Sequence, residues 1–198
     1  MSRSESVWVV DDDRSIRWVL EKALQQEGMS AQTFDNAASL LSRLERQQPD
    51  VIISDISMPG ASGLDLLAHL REKFPRLPVI IITAHSDLDS AVASYQGGAF
   101  EYLPKPFDVD EAIALVKRAC QHAREQEAGA APAPTTGTPE ILGEAPAMQE
   151  VFRAIGRLSH SNITVLINGD SGTGKELVAH ALHRHSPRAR APFIALNM

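Results

Sequence analysis

Polar side chains collect where short apolar runs end. Asp11, Asp12 and Asp13 follow Val7 to Val10, Asp55 follows Val51 to Ser54, Thr83 closes the run that begins at Val79, and Lys105 comes just after Phe100 to Leu103. Several crowded carboxylates repel one another and hold their protons more tightly unless a cation neutralises them. Mg²⁺ suits such a site, because it is a hard ion that takes one or two carboxylates, keeps its waters and accepts phosphate oxygens. Lys105 would add an ammonium to the same rim, and Thr83 a hydroxyl. An Asp triplet alone reads more readily as a solvated loop. Their coincidence is more specific: acid, acid, hydroxyl and amine each end a different strand.

A second stretch with chemical content is Gly169-Asp170-Ser171-Gly172-Thr173-Gly174-Lys175-Glu176. It lies between an apolar run expected as a strand, Ile163 to Ile167, and a helical pattern from about Lys175. That context fits a phosphate-binding loop. Glycines let backbone N–H groups close around phosphates, the helix N-terminus adds its dipole, and Lys175 reaches the outer phosphates. Glu176 stands where a Ser or Thr usually holds Mg²⁺, which puts a metal at this loop in question, with Thr173 as the alternative hydroxyl.

The elements that must position these groups alternate in type. Five short apolar, β-branched runs (Val7 to Val10, Ala31 to Phe34, Val51 to Ser54, Val79 to Thr83, Phe100 to Leu103) are each followed by apolar residues at helical spacing. Ile16, Val19, Leu20, Ala23 and Leu24 mark the first helix, which ends near Gly28; Asp108 and Glu111 form a possible capping box for the last. Five βα units in a row predict a parallel sheet covered on both faces. In such sheets ligands sit at the carboxyl ends of the strands, where strand order reverses. Residues 126–139 are rich in Ala, Pro, Thr and Gly and read as a flexible linker. Residues 147–158 look helical, and a last apolar run spans Phe193 to Leu196.

Bulk properties set limits. With 198 residues the chain can bury a core, and a formal net charge of −6 argues against a general nucleic-acid binder. Cys120 is the single cysteine, so a disulfide framework and a Cys-rich zinc site are excluded; it reads as a buried apolar residue. The polar start lacks a signal-peptide core and no apolar run reaches membrane-spanning length, so a cytoplasmic location without membrane contact is expected. His180, His183 and His185 lie among Arg184, Arg188 and Arg190; a metal site is one reading, and a solvated helix end is favoured.

The segments Val9-Val10-Asp11-Asp12-Asp13, Ser54-Asp55-Ile56-Ser57-Met58-Pro59-Gly60, Thr83-Ala84 and Lys105-Pro106-Phe107 together resemble the response-regulator receiver domain. The resemblance implies a flavodoxin-like (βα)5 α/β fold with parallel strand order 2-1-3-4-5. It also implies that Asp55 is the phosphoacceptor, that Asp12 and Asp55 ligate Mg²⁺ directly, that the Ser57 carbonyl assists and that Asp11 acts through water. Lys105 and Thr83 would contact the phosphoryl group, and the Lys105–Pro106 bond would be cis. The donor would be a phosphohistidine on a sensor histidine kinase. Tyr102 either repacks as a switch residue or is an ordinary half-buried aromatic.

Gly169 to Val178, followed by Phe193-Ile194-Ala195-Leu196-Asn197, resembles the P-loop AAA+ domain of activators of sigma-54 RNA polymerase, in which Glu commonly follows the P-loop lysine. The expected organisation is a receiver at 1–125, a linker at 126–139 and the first part of a sigma-54-interacting ATPase domain at 140–198. By the same resemblance, the partners are the kinase, sigma-54 polymerase and DNA (the last two through regions outside this sequence) and a second copy on phosphorylation. ATP and Mg²⁺ are the expected cofactors, with weak ATP binding at most and no useful turnover from so short a piece of the ATPase domain. The leading function is a two-component regulator of the nitrogen-assimilation type. A phosphorelay receiver without transcriptional output, and a P-loop NTPase or kinase with a regulatory receiver, are the alternatives.

Overall fold

The structure, a computed structural model, describes residues 4–58, 63–84, 88–127, 145–170 and 173–195. Strands β1 (Ser6–Val10), β2 (Ser30–Phe34), β3 (Val51–Asp55), β4 (Val79–Thr83) and β5 (Glu101–Pro104) alternate with helices α1 (Arg14–Gln26), α2 (Ala37–Leu44), α3 (Gly63–Lys73), α4 (Leu88–Gln96) and α5 (Val109–Glu127). The strands form one parallel sheet in the order β2-β1-β3-β4-β5, as expected. β3 and β4 are buried at every position because helices cover both faces of a parallel sheet, so their apolar runs are continuous rather than alternating.

The chain divides into two compact units, residues 1–85 with 97–135, and residues 86–96 with 136–198. In the first, Val7, Val9, Val51, Ile53, Ile80 and Ile82 of the sheet pack with Leu20 and Leu24 of α1 and Val116 and Ala119 of α5. Burying each such aliphatic side chain contributes about 1.5–3 kcal/mol. Asn36 caps α2 by accepting from the Ser39 N–H, and Asp108 caps α5 by accepting from the Asp110 N–H. α5 runs to Glu127, two residues into the stretch expected as linker; residues 128–139 lie outside those described. Cys120 is buried, and burial pushes its thiol up to about 11, where it stays protonated and inert.

The second unit contains α4, α6 (Ala145–Leu158) and α7 (Lys175–His185). Val92, Val151 and Ile155 are its buried apolar centre, flanked by Val178, Ala181 and Leu182. The expected strand at Ile163 to Ile167 is not formed: the segment lies outside regular structure, with Ile163 66% and Leu166 82% exposed. A parallel strand needs a neighbour to satisfy its backbone groups and a cover for its side chains. Among the described residues of this unit no second strand supplies either. His180 is exposed, as a solvated helix end predicts, while half-buried His183 is less open than expected; both rest their rings on Phe193, with centroids 4.1 and 5.3 Å away. Among the described residues no helix is long and apolar enough to cross a membrane.

Candidate functional site

Strand register explains how residues far apart in sequence meet. Val10 pairs with Ser54, so the next residues, Asp11 and Asp55, leave adjacent strands side by side. Asp55 pairs with Ile82, and Thr83 with Pro104, so Thr83 and Lys105 lie one and two strands further along the same edge. Lys105 is anchored there by its backbone N–H, which donates to the Thr83 carbonyl at 2.6 Å. Two strand spacings separate β5 from β3, about 9.6 Å. A long lysine stem crosses that gap where a short side chain would not.

The Lys105 ammonium bridges the two buried acids, at 2.8 Å from Asp55 Oδ2 and 2.9 Å from Asp11 Oδ2. Asp11 is 1% and Asp55 4% exposed, while the lysine side chain keeps 18%. The other carboxylate oxygens are held by backbone donors: the Asp13 N–H to Asp11 Oδ1 at 2.8 Å, and the Ser57 N–H to Asp55 Oδ1 at 3.1 Å. Burial raises the Asp11 pKa above the ordinary carboxylate value, and its bonds to Lys105 and the Asp13 N–H offset this only in part. Burial also opposes the charge on Lys105, but the two carboxylates outweigh it and hold the ammonium above its usual pKa.

Asp11, Asp12 and Asp55 can each turn one carboxylate oxygen into a common space, with those oxygens within 4.8 Å of one another. An all-oxygen, multiply charged donor set with one exposed member fits a hard divalent cation that keeps water ligands, hence Mg²⁺. Asp13 is diverted from the cluster. As N-cap of α1 it accepts from the Ser15 N–H at 2.7 Å, which holds its carboxyl below the usual range. Thr83 and Tyr102 are both fully buried, so the tyrosine is more enclosed than the half-buried alternative. The Lys105–Pro106 bond is cis, as expected.

Two contributors carried no signal in the motif reading. The Arg17 guanidinium donates to the Asp11 carbonyl at 2.5 Å and the Asp12 carbonyl at 2.9 Å. Gly63 begins α3 so close to β3 that a Cβ there would lie 2.1 Å from the Asp55 carbonyl oxygen. A glycine a few residues after Pro59 hints at a close approach, but the partner is visible only in three dimensions.

The glycine loop of the second unit closes on its own lysine. Lys175 Nζ donates to the carbonyls of Gly169 at 2.7 Å and Asp170 at 2.5 Å, and Thr173 Oγ1 donates to Asp170 at 2.8 Å. Gly174, the N-cap of α7, has φ +80°, a conformation that favours glycine. Glu176 lies in the first turn of α7. Ser171 and Gly172 fall outside the described residues.

A parallel 2-1-3-4-5 sheet with a lysine-bridged acid pair at its carboxyl edge is the architecture of a receiver. The family model "Response regulator receiver domain" matches residues 7–117, and the chain belongs to that family. A "Sigma-54 interaction domain" model matches residues 141–198. The DNA-binding transcriptional regulator NtrC of Escherichia coli (strain K12) is 65% identical over 192 residues, which is 97% of this chain and 41% of the relative. NtrC of Azospirillum brasilense is 43% identical over 196 residues, 98% of this chain and 40% of the relative. Among solved structures, the apo receiver domain of nitrogen regulatory protein C has 59% identity and a TM-score of 0.57, covering 63% of this chain and all of that one. NtrX from Brucella abortus in complex with ATP has 32% identity and a TM-score of 0.60, covering 98% of this chain and 43% of that one. Within its family the chain is therefore of the NtrC type, a two-component response regulator with the beginning of a sigma-54 interaction domain behind the receiver. It spans about two-fifths of the length of these NtrC relatives (41% of the E. coli protein).

Proposed function

We propose that Asp55 accepts a phosphoryl group from a phosphohistidine on a sensor histidine kinase. One Asp55 carboxylate oxygen attacks phosphorus in line; the P–O bond forms as the P–N bond to the donor imidazole breaks, and the imidazole leaves to be protonated. Asp12, Asp55 and the Ser57 carbonyl would hold Mg²⁺, with Asp11 acting through water; the ion supplies neutralisation of phosphoryl charge when bound. Lys105, already bonded to Asp55, turns to a phosphoryl oxygen, and the Thr83 hydroxyl donates to another. Tyr102 then repacks beside Thr83, and the segment from Asp87, which lies outside the described residues, to Tyr95 changes packing. The observation that carries this reading is the lysine bridge between two buried aspartates at adjacent strand ends.

The output is control of sigma-54-dependent transcription, in nitrogen regulation, through self-association of the phosphorylated protein and an ATPase domain begun by residues 140–198. The E. coli relative's name and the match to the sigma-54 interaction domain support that reading. Residues 169–176 would receive ATP phosphates once Lys175 gives up its loop carbonyls. The test of the acceptor is Asp55→Asn with radiolabelled acetyl phosphate or phosphorylated kinase. Loss of label is expected, and labelling at the normal rate refutes the assignment.

A further inference from the structure

All three backbone carbonyls of the acidic triplet end on a single residue. Arg17 Nη1 donates to the carbonyls of Asp11 and Asp12, and the Arg17 backbone N–H donates to that of Asp13 at 3.1 Å. The rest of the loop is tied locally. The Asp11 N–H donates to the Phe34 carbonyl, the Asp13 N–H to Asp11 Oδ1 and the Ser15 N–H to Asp13 Oδ1. Without the guanidinium, two carbonyl dipoles beside three carboxylates would lose that donor and the loop its outer clamp.

We propose that Arg17 is a positioning residue for the divalent-cation site, holding the Asp11–Asp12 backbone so that both carboxylates converge with Asp55. The inference rests on the Mg²⁺ reading of that site. Arg17 touches neither the cation nor the phosphoryl group; it acts through the loop. A charge near a cation site has the opposite effect from a clamp. Removing a guanidinium as a mere charge strengthens Mg²⁺ binding, because repulsion is relieved. Removing it as a clamp weakens binding, because the carboxylates must be ordered at the expense of binding energy. Outer-shell partners of metal ligands are worth about 10–100-fold in affinity.

The test titrates Mg²⁺ alone into the 198-residue chain by calorimetry, for wild type, Arg17→Ala, Arg17→Gln and Arg17→Lys. Acetyl phosphate labelling is then followed across Mg²⁺ concentration. The alanine and glutamine variants are expected to bind Mg²⁺ about 10-fold more weakly, and lysine to recover most of the loss. The Mg²⁺ concentration for half-maximal labelling should rise in parallel, while the rate at saturating Mg²⁺ stays within about threefold of wild type. Unchanged or tighter Mg²⁺ binding in Arg17→Ala overturns the proposal, and so does a stability loss with unaltered affinity. If the alanine variant does not fold, the glutamine variant decides on the same criteria. Failure of wild type itself to bind Mg²⁺ would instead sink the reading of the acid cluster, so the two failures are distinguishable.

Discussion

Replacing Gly63 by alanine tests whether the first turn of α3 sets the position of Asp55, the proposed acceptor. The added methyl would lie 2.1 Å from the Asp55 carbonyl oxygen, 2.7 Å from Ile56 Cα and 2.9 Å from the Asp55 carbonyl carbon. Real Cβ atoms essentially never approach closer than 3.0 Å, so the shortest contact is 3.0 − 2.1 = 0.9 Å too close. All three obstacles are backbone atoms and cannot rotate aside. The Gly63 N–H also donates to the Ile56 carbonyl at 2.8 Å, which ties the start of the helix to the same loop. Overpacking of this kind costs about 1–3 kcal/mol, while alanine recovers up to about 1 kcal/mol of helix propensity. With the full propensity gain subtracted, a net loss of about 0–2 kcal/mol in stability is expected. A displacement near 1 Å at a reacting group lowers rate by roughly 100-fold. Urea unfolding and the rate of acetyl phosphate labelling at saturating Mg²⁺ measure the two effects. A rate within threefold of wild type would refute the link to Asp55, because α3 would then yield without moving β3.

Lys105→Met leaves Asp11 and Asp55 buried without their shared cation. Allowing for the lysine's partial exposure, we expect a loss of about 2 kcal/mol without Mg²⁺, tighter Mg²⁺ binding and a larger rise in melting temperature on adding the ion. Asp11→Asn tests the raised pKa. A folded-state pKa above the ordinary 3.8 means that the native protein binds more protons in that window, so this group's contribution to stability falls as pH rises through it. The variant should therefore gain on wild type in stability to urea as pH rises above about 4, while Asp55 still pairs Lys105; a difference that does not vary with pH would count against it. Lys175→Ala should abolish binding of a fluorescent ATP analogue, and retained binding would remove the glycine loop from the account.

Legibility in the sequence followed the physics of each element. β1, β3 and β4 are buried on both faces, so their apolar runs are continuous and their ends, with Asp11, Asp55 and Thr83, could be located within a residue. β5 lies one residue later than the run Phe100 to Leu103, because Pro104, which reads as a strand end, still pairs with Thr83. The segment 163–167 has the composition of a strand, but a strand is a relation between two chains of residues and composition reports only one. Gly63 and Arg17 are silent in the sequence for a related reason. One matters through a missing side chain, the other through backbone carbonyls, and neither leaves a mark in residue type at motif spacing.

The charge in the acid cluster explains why one lysine serves two acids. Asp11, Asp12 and Asp55 with Lys105 sum to −3 + 1 = −2 if all are ionised. A divalent cation brings the sum to zero. Phosphorylation replaces the Asp55 charge by about −2, so the loaded cluster stands near −1 and its new oxygens need donors the resting site does not offer them. The Lys105 ammonium has three N–H donors, two of them already given to Asp11 and Asp55, so several added phosphoryl oxygens would call for a further donor. The buried hydroxyl of Thr83 lies on the strand between Asp55 and Lys105, which makes it the nearest such group by register. On the proposed reading, charge and hydrogen-bond supply would draw Thr83 toward the phosphoryl group, and the packing changes beyond it would follow from where that side chain had been.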